Sequence, residues 1–349
     1  MMTSIEDFDY RLPPELVAQH PLAPRDASRL LGLERATGAL RHARFRDLPD
    51  WLDSNDLLVV NDTRVFPARL QGVKESGGRV ELLLHHLPQP EGNGAVRARA
   101  SHRGRLRPGQ VLHFGPDLQA EIISLPEPGV AEVRFLAAGE VLPKVLEHGE
   151  VPLPPYIHRP AAEPDRDSYQ TRFARQTGAV ACPTAGLHFT DAVLQDLKRR
   201  AIETVAITLH VGPGTFLPVR QPDYTRHQML PEYFELTAAA TARLNQAKTR
   251  GQRIVAVGST STRVLEYCAA PQGFQAAQGW CDLFIYPGYQ FQAVDRLLTN
   301  FHLPKSTLLM LVAAFAGLEA MRAAYSHAIT QRYRFFSYGD AMLIDRMPR

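Results

Sequence analysis

At 349 residues, with 45% hydrophobic and 21% charged side chains, the chain is long enough for two domains and apolar enough to bury a full core. A net charge of +3 demands neither a nucleic acid nor a membrane partner, so any RNA-binding surface must come from local clustering of arginines. Three cysteines (Cys182, Cys268, Cys281) without a Cys-x-x-Cys spacing argue against a disulfide framework or a thiolate zinc site. The acidic start, Met1 to Tyr10, lacks the pattern of a signal peptide. The longest apolar run, Leu308 to Leu318, is shorter than the roughly 20 residues a membrane span needs. A soluble, cytoplasmic protein is expected.

In chain order, Leu57–Val60 reads as a short buried strand ending in the polar turn Asn61-Asp62-Thr63-Arg64. Short apolar or alternating runs follow at Val80–Leu84, Ala95–Ala100, Val111–Phe114, Ala120–Leu125 and Val130–Phe135, separated by Gly, Pro and Asn. That spacing predicts a small all-β sandwich or barrel. The proline-rich Val151–Tyr156 cannot be helix interior and marks a boundary. Beyond it the rhythm is strand, loop, helix. A helix capped by Thr190-Asp191 runs towards Arg200, and a strand spans Thr204–His210. A helix starts at Thr237 and stops at Gly251, followed by strand Ile254–Val257 and another helix. A strand over Leu283–Tyr286 and a helical stretch from Ser306 to about Arg332, broken near Gly317, complete the chain. The expected fold is an α/β core of residues 1–63 and 152–349, interrupted by a barrel-like all-β insertion over 64–151.

Ligands of open α/β sheets gather beyond the carboxyl ends of the strands, and unusual loops sit there: Asn61–Arg64; His210, Gly212, Gly214 and Thr215; Gly258–Ser261 with Arg263; and Pro287–Tyr289. Glycine lets backbone amides approach a ligand, while Ser, Thr and Arg donate to oxygen atoms. Histidines concentrate in the same half (His188, His210, His227, His302) without metal-binding spacing, so no metal is expected. For each, a structural hydrogen-bonded role competes with a catalytic one. Cys182, beside Pro183 and near a helix start, reads better as a small buried residue than as a nucleophile. Arg97, Arg99, Arg103, Arg105 and Arg107 crowd one segment of the β module, either as a charged edge or as a phosphate-binding face. A second arginine run begins at Arg25 and Arg29.

Longer segments carry a resemblance. They are Asn-Asp-Thr-Arg-Val-Phe-Pro-Ala-Arg (61–69), Pro-Thr-Ala-Gly-Leu-His-Phe-Thr (183–190), Leu-His-Val-Gly-Pro-Gly-Thr-Phe (209–216), Leu-Phe-Ile-Tyr-Pro-Gly-Tyr (283–289), the run 299–312 beginning Thr-Asn-Phe-His-Leu-Pro-Lys-Ser, and Tyr-Arg-Phe-Phe-Ser-Tyr-Gly-Asp-Ala-Met-Leu-Ile (333–344). Together they resemble the S-adenosylmethionine:tRNA ribosyltransferase-isomerase family of queuosine biosynthesis over nearly the whole chain. The resemblance implies an α/β domain with an inserted β-barrel. It also implies an enzyme that transfers and isomerises the ribosyl group of S-adenosylmethionine onto 7-aminomethyl-7-deazaguanine at the tRNA wobble position. The products would be epoxyqueuosine-tRNA, adenine and methionine. S-adenosylmethionine is then a consumed substrate and no resident cofactor is implied; a monomer is expected.

Within the matched segments, His188, His210 and His227 are the candidates for proton transfer, with Asp62, Glu232 and Asp340 orienting them or holding ribose hydroxyls. Arg64, Arg263 or Arg334 would suit the methionine carboxylate. Thr184, Gly186, Gly212, Gly214, Thr215, Thr260, Tyr286, Gly288, Asn300 and His302 complete the expected substrate contacts, and Arg97–Arg107 those to tRNA. The chain departs from the family pattern at Leu230, where histidine is usual, at Cys182, commonly alanine, and at Ser259, usually threonine. Two rivals are an S-adenosylmethionine-dependent RNA methyltransferase and a non-catalytic RNA-binding protein.

Overall fold

The computed structural model describes residues 4–345 except 92–94, 138, 217, 218 and 220; the Thr215 and Phe216 side chains also lie outside the described set. Strands β1 (Arg29–Glu34) and β2 (Ala39–Arg44) form a hairpin, followed by β3 (Asp56–Asn61) and the short β4 (Thr63–Val65). Next come β5 (Arg69–Lys74), β6 (Arg79–Leu84), β7 (Gln89–Pro90), β8 (Val96–Arg103), β9 (Val111–His113), β10 (Gln119–Glu127) and β11 (Val130–Leu136). Helices α1 (Val141–His148) and α2 (Asp165–Ser168) lead to β12 (Gln176–Ala179), which pairs with β4. Then α3 (Asp191–Arg199), β13 (Glu203–Leu209), β14 (Glu232–Leu236), α4 (Ala238–Thr249), β15 (Arg253–Val257) and α5 (Gly258–Cys268) alternate. The chain closes with β16 (Ala277–Cys281), β17 (Arg296–Asn300), α6 (Thr307–Ala316), α7 (Leu318–Thr330) and β18 (Ala341–Asp345).

The main sheet has nine strands in the order β16-β14-β13-β3-β15-β17-β18-β1-β2, with β13, β3, β15 and β17 mutually parallel. Its central strands are apolar at nearly every position because both faces are covered. Leu57, Val59, Ile254 and Ala256 pack into one core, and Leu58, Val60, Val255 and Val257 into the other. Helix starts follow local chemistry. Thr190, Thr237 and Ser306 accept the amides of Val193, Ala240 and Leu309, as expected of capping hydroxyls. Gly317, at φ +90°, breaks α6 from α7. That pair bends by 113°, and no single described helix is long and apolar enough to cross a membrane.

The second sheet closes on itself. The order β11-β10-β9-β5-β6-β8 returns to β11, and β7 hangs on β8. Alternating residues (Leu70, Leu82, Ala98, Leu112, Ile122, Val133) point inwards to an apolar core. An α/β sheet with a small antiparallel barrel is the fold class expected from the sequence. One expected strand is absent: Leu283–Tyr286 joins no sheet, and the strand lies just before it, at β16. Its apolar residues serve other ends, since the Leu283 carbonyl accepts from Arg263 Nε (3.0 Å) and Phe284 and Tyr286 pack ring against ring.

Candidate functional site

Strands β13, β3, β15 and β17 run parallel, and a pocket with about 900 Å³ of free space, open solvent at its mouth included, opens beyond the carboxyl ends of β13, β15 and β17. Cys182 and Thr184 come from the loop after β12, Thr260 and Arg263 from α5, Glu232 from β14, and Asn300 and His302 from the end of β17.

At the floor lies a buried ion pair. Glu232 and Arg263 are each 5% exposed and joined directly through Glu232 Oε2 and Arg263 Nη1. Arg263 Nε donates to the Leu283 carbonyl (3.0 Å) and Nη2 to that of Cys281 (2.9 Å), while Gly212 N donates to Glu232 Oε1 (2.8 Å). Burial opposes the guanidinium charge, but the Glu232 carboxylate outweighs it and the Arg263 pKa is raised. The pair is therefore a charged, hydrogen-bonded unit that presents carboxylate to the pocket.

His188 is buried behind the pocket wall, stacked on Phe45 (ring centroids 4.9 Å apart). Its Nε2 faces Asn300 Nδ2 (3.1 Å), and the same amide nitrogen donates to the Phe336 carbonyl (3.2 Å). Asn300 Oδ1 accepts from Thr184 Oγ1 (3.1 Å), which fixes the amide orientation. His188 Nε2 is consequently the acceptor, and Nδ1–H donates to Ser28 Oγ (2.8 Å). Burial, aided by Arg334 and Arg25, pushes the His188 pKa down to about 3. Both ring nitrogens are engaged and the ring is neutral at ordinary pH.

His210 points elsewhere. Along β14 the buried Glu232 and Phe234 alternate with Tyr233, and His210 stacks on Tyr233 (5.6 Å), on the face away from the ion pair. Its Nδ1 meets Thr63 Oγ1 at 2.7 Å, and burial lowers its pKa. Asp62 is on this side too, accepting from Thr208 Oγ1 (2.7 Å), and its pKa is raised by burial. His227 sits edge-on to Phe284, half-buried, with its pKa lowered by desolvation. His302 does line the pocket. Its Nε2 bonds Thr299 Oγ1 (2.7 Å), and burial pushes its pKa down to about 4.

Of the other expected residues, Thr184, Thr260, Arg263 and Asn300 line the pocket, and Thr260 Oγ1 is buried without a hydrogen-bond partner. Gly212 contributes its amide, Gly186 lies tight against Thr171, and Gly214 against Leu230. Tyr286 packs on Tyr224, and Gly288 turns the chain at φ +102°. Arg64 is exposed on β4. Asp340 accepts the amides of Arg29 (2.8 Å) and Arg334 (2.7 Å) and pairs with Arg29 Nε (3.3 Å), stapling β18 to β1. Arg334 Nη2 donates to the His20 carbonyl, and Nη1 is buried without a partner. On the barrel, Arg97 pairs with Glu91, Arg99 with Glu127 and Glu132, and Arg103 with Glu81 at 3.7 Å, whereas Arg105 and Arg107 are exposed. Among the described residues no group of three His, Cys, Asp or Glu side chains gathers as a metal site.

Tyr156, Ser337 and Met229 also line the pocket and were not singled out in the sequence. Tyr156 belongs to the proline-rich connector, yet its hydroxyl meets Ser337 Oγ at 2.6 Å. The only sequence signal for Ser337 is its place in the 333–344 segment. Burial raises the Cys182 pKa far above the usual thiol range, with Arg25 opposing, which favours the neutral thiol over the thiolate.

A pocket beyond the ends of parallel strands, lined by a buried carboxylate–guanidinium pair, one histidine and several hydroxyls, defines a candidate small-molecule site on an α/β scaffold that also carries a β-barrel. The family model described as "Queuosine biosynthesis protein" matches residues 5–344, and the chain belongs to that family. The S-adenosylmethionine:tRNA ribosyltransferase-isomerase of Syntrophotalea carbinolica is 51% identical over 342 residues, covering 97% of this chain and 99% of its own. The protein of the same name from Anaeromyxobacter sp. is 51% identical over 346 residues, covering 98% and 99%. The crystal structure of S-adenosylmethionine tRNA ribosyltransferase from Thermotoga maritima aligns with a TM-score of 0.56 at 36% identity, covering 97% of this chain and 99% of that one.

Proposed function

We propose that this chain is an S-adenosylmethionine:tRNA ribosyltransferase-isomerase. It moves the ribosyl moiety of S-adenosylmethionine to the aminomethyl group of 7-aminomethyl-7-deazaguanine in tRNA and rearranges it, releasing adenine and methionine. Family membership and the full-length relatives support the reaction. The observation that carries the site is the strand-end pocket with its buried Glu232–Arg263 pair. The reaction needs a base at the ribose carbon beside the sulfonium and a proton donor for departing adenine. Of the ionisable groups lining the pocket, Glu232 is the base in this reading and His302 a neutral partner held by Thr299. Arg263 pairs with the carboxylate and holds it in place, and Thr184, Thr260 and Asn300 contact substrate hydroxyls. His210 and Asp62, away from the ion pair, bear on the RNA side rather than on the ribose. Residues 64–151 form an inserted unit whose exposed arginines, Arg105 and Arg107 first, meet tRNA phosphates. The enzyme works in the cytoplasm.

Mass spectrometry of small-molecule products, after incubation with S-adenosylmethionine and the deazaguanine-bearing tRNA, tests this. Free adenine and methionine are expected. S-adenosylhomocysteine would mean a methyltransferase, and no product an RNA-binding protein. Glu232→Gln should lower turnover by at least about 100-fold, the contribution typical of a general base; wild-type turnover would remove Glu232 from the mechanism.

A further inference from the structure

A second, smaller pocket shares part of the first one's wall, with about 280 Å³ of free space, open solvent at its mouth included. It is lined by Arg25, Ser28, Ser168 and His188, and shares Ser337 with the first pocket.

The chemistry of the lining is one-sided. Arg25 donates from Nη1 to the Gln170 carbonyl (2.6 Å) and from Nη2 to the Asp167 carbonyl (2.9 Å), and among the described residues no carboxylate forms an ion pair with it. Arg334, close enough to depress His188 along with Arg25, has a buried Nη1 without any partner. Burial lowers the pKa of both guanidinium groups, against the attraction of Asp340 on Arg334 and of Cys182, Tyr338 and Asp167 on Arg25, and of the two only Arg25 lines the pocket. Charges placed this way cost free energy unless an anion arrives. The His188 tautomer adds a donor. Because Nδ1–H donates to Ser28 Oγ, the Ser28 hydroxyl proton is free for another acceptor. A neutral His188 adds no charge; it orients a hydroxyl in one pocket and, through Asn300, Thr184 in the other.

We propose that this second pocket is an anion subsite that takes one backbone phosphate of the RNA acceptor, with Arg25 and the Ser28 hydroxyl as its donors. The assignment rests on the function proposed above, because it is that reading which supplies RNA. It makes His188 a positioning residue joining the phosphate site to the ribosyl site. Arg25 spends one N–H of each Nη on a carbonyl and keeps its remaining donors, and the Ser28 hydroxyl adds a neutral one, a set that serves the oxygens of a phosphate.

The test is binding of an anticodon stem-loop RNA to the full chain across a salt series, read without turnover. Arg25→Gln should weaken binding and reduce the slope of log K against log salt by about 0.7–0.9, the share of one phosphate. Ser28→Ala leaves the Arg25 carbonyl contacts in place and should weaken binding by about 3–10-fold, as for one hydrogen bond, at unchanged slope. If Arg25→Gln does not fold, Ser28→Ala carries the test. RNA affinity and slope equal to wild type in folded variants overturn the proposal. So does a rise in KM for S-adenosylmethionine with RNA binding untouched, which would give the pocket to the methionine carboxylate. Wild-type protein that binds the RNA with the expected slope but releases no adenine would refute the proposed reaction and leave the subsite standing.

Discussion

Inside the barrel, every buried described side chain from Phe66 to Val145 is apolar, whereas the core around the nine-stranded sheet buries Asp56, Asp62, His188, Glu232, Arg263 and Asn300. Both regions are closed to water, but they use that closure differently. The barrel spends it on hydrophobic contact and turns its charges outward into pairs such as Arg97–Glu91. The sheet encloses charges and hydrogen-bonded amides, which are stable only when every partner is present. Buried polarity separates the region that holds the pocket from the barrel, which does not line it.

Four experiments break or sharpen that contrast. The largest effect belongs to Arg263→Ala, which strands the Glu232 carboxylate. Unfolding in urea should show a loss of about 3–5 kcal/mol, and turnover should vanish. A loss below about 1 kcal/mol would mean water reaches the pair. In the barrel, Leu82→Ala should cost about 2–4 kcal/mol through its cavity while turnover per folded molecule, with S-adenosylmethionine and tRNA saturating, stays within about twofold; a collapse of turnover would erase the distinction between the regions. Acid is a third probe. His188 and His302 hold folded pKa values of about 3 and about 4 against 6.5 unfolded. The unfolded chain therefore binds protons first, so stability is full above about pH 6.5 and lost as pH falls towards 4. His188→Gln should flatten this decline by a few kcal/mol between about pH 6.5 and 4, measured by denaturant titration at each pH. The smallest effect is at the barrel surface, where Arg105→Ala with Arg107→Ala should change tRNA affinity several-fold. The salt slope should fall by about one for each phosphate no longer neutralised, with no change in stability.

Much of this contrast is legible in the sequence. The runs Leu57–Val60 and Ile254–Val257 are apolar throughout, as two-sided burial requires, and the barrel runs alternate between Gly/Pro turns. Capping hydroxyls at Thr190, Thr237 and Ser306 announce their helices. The hairpin β1–β2 is hidden because β2, Ala-Leu-Arg-His-Ala-Arg, has no buried residue to reveal an inner face. Strand β17 is masked by Arg296, whose charge is matched by Asp56 and Asp345 from other strands. Leu283–Tyr286 misleads in the opposite sense, being apolar for aromatic packing rather than for a ladder. In the site, the sequence brings Glu232, Arg263, Thr184, Asn300 and His302 to one neighbourhood. It cannot say that His210 and Val211, one residue apart, fall on opposite sides of the sheet, nor that both nitrogens of His188 are already taken.

Strand β1 has two neighbours, its hairpin partner β2 and β18, and β18 is residues 341–345. A ribosome delivers the hairpin, with Arg25 and Ser28 just ahead of it, hundreds of residues before the edge that receives it. Its sheet edge is β18, and Asp340 takes the Arg29 amide across 311 residues of sequence. The lining that carries Arg25 and Ser28 is therefore held in place by one of the longest-range contacts in the fold, and its geometry reports on the register of β18 against β1.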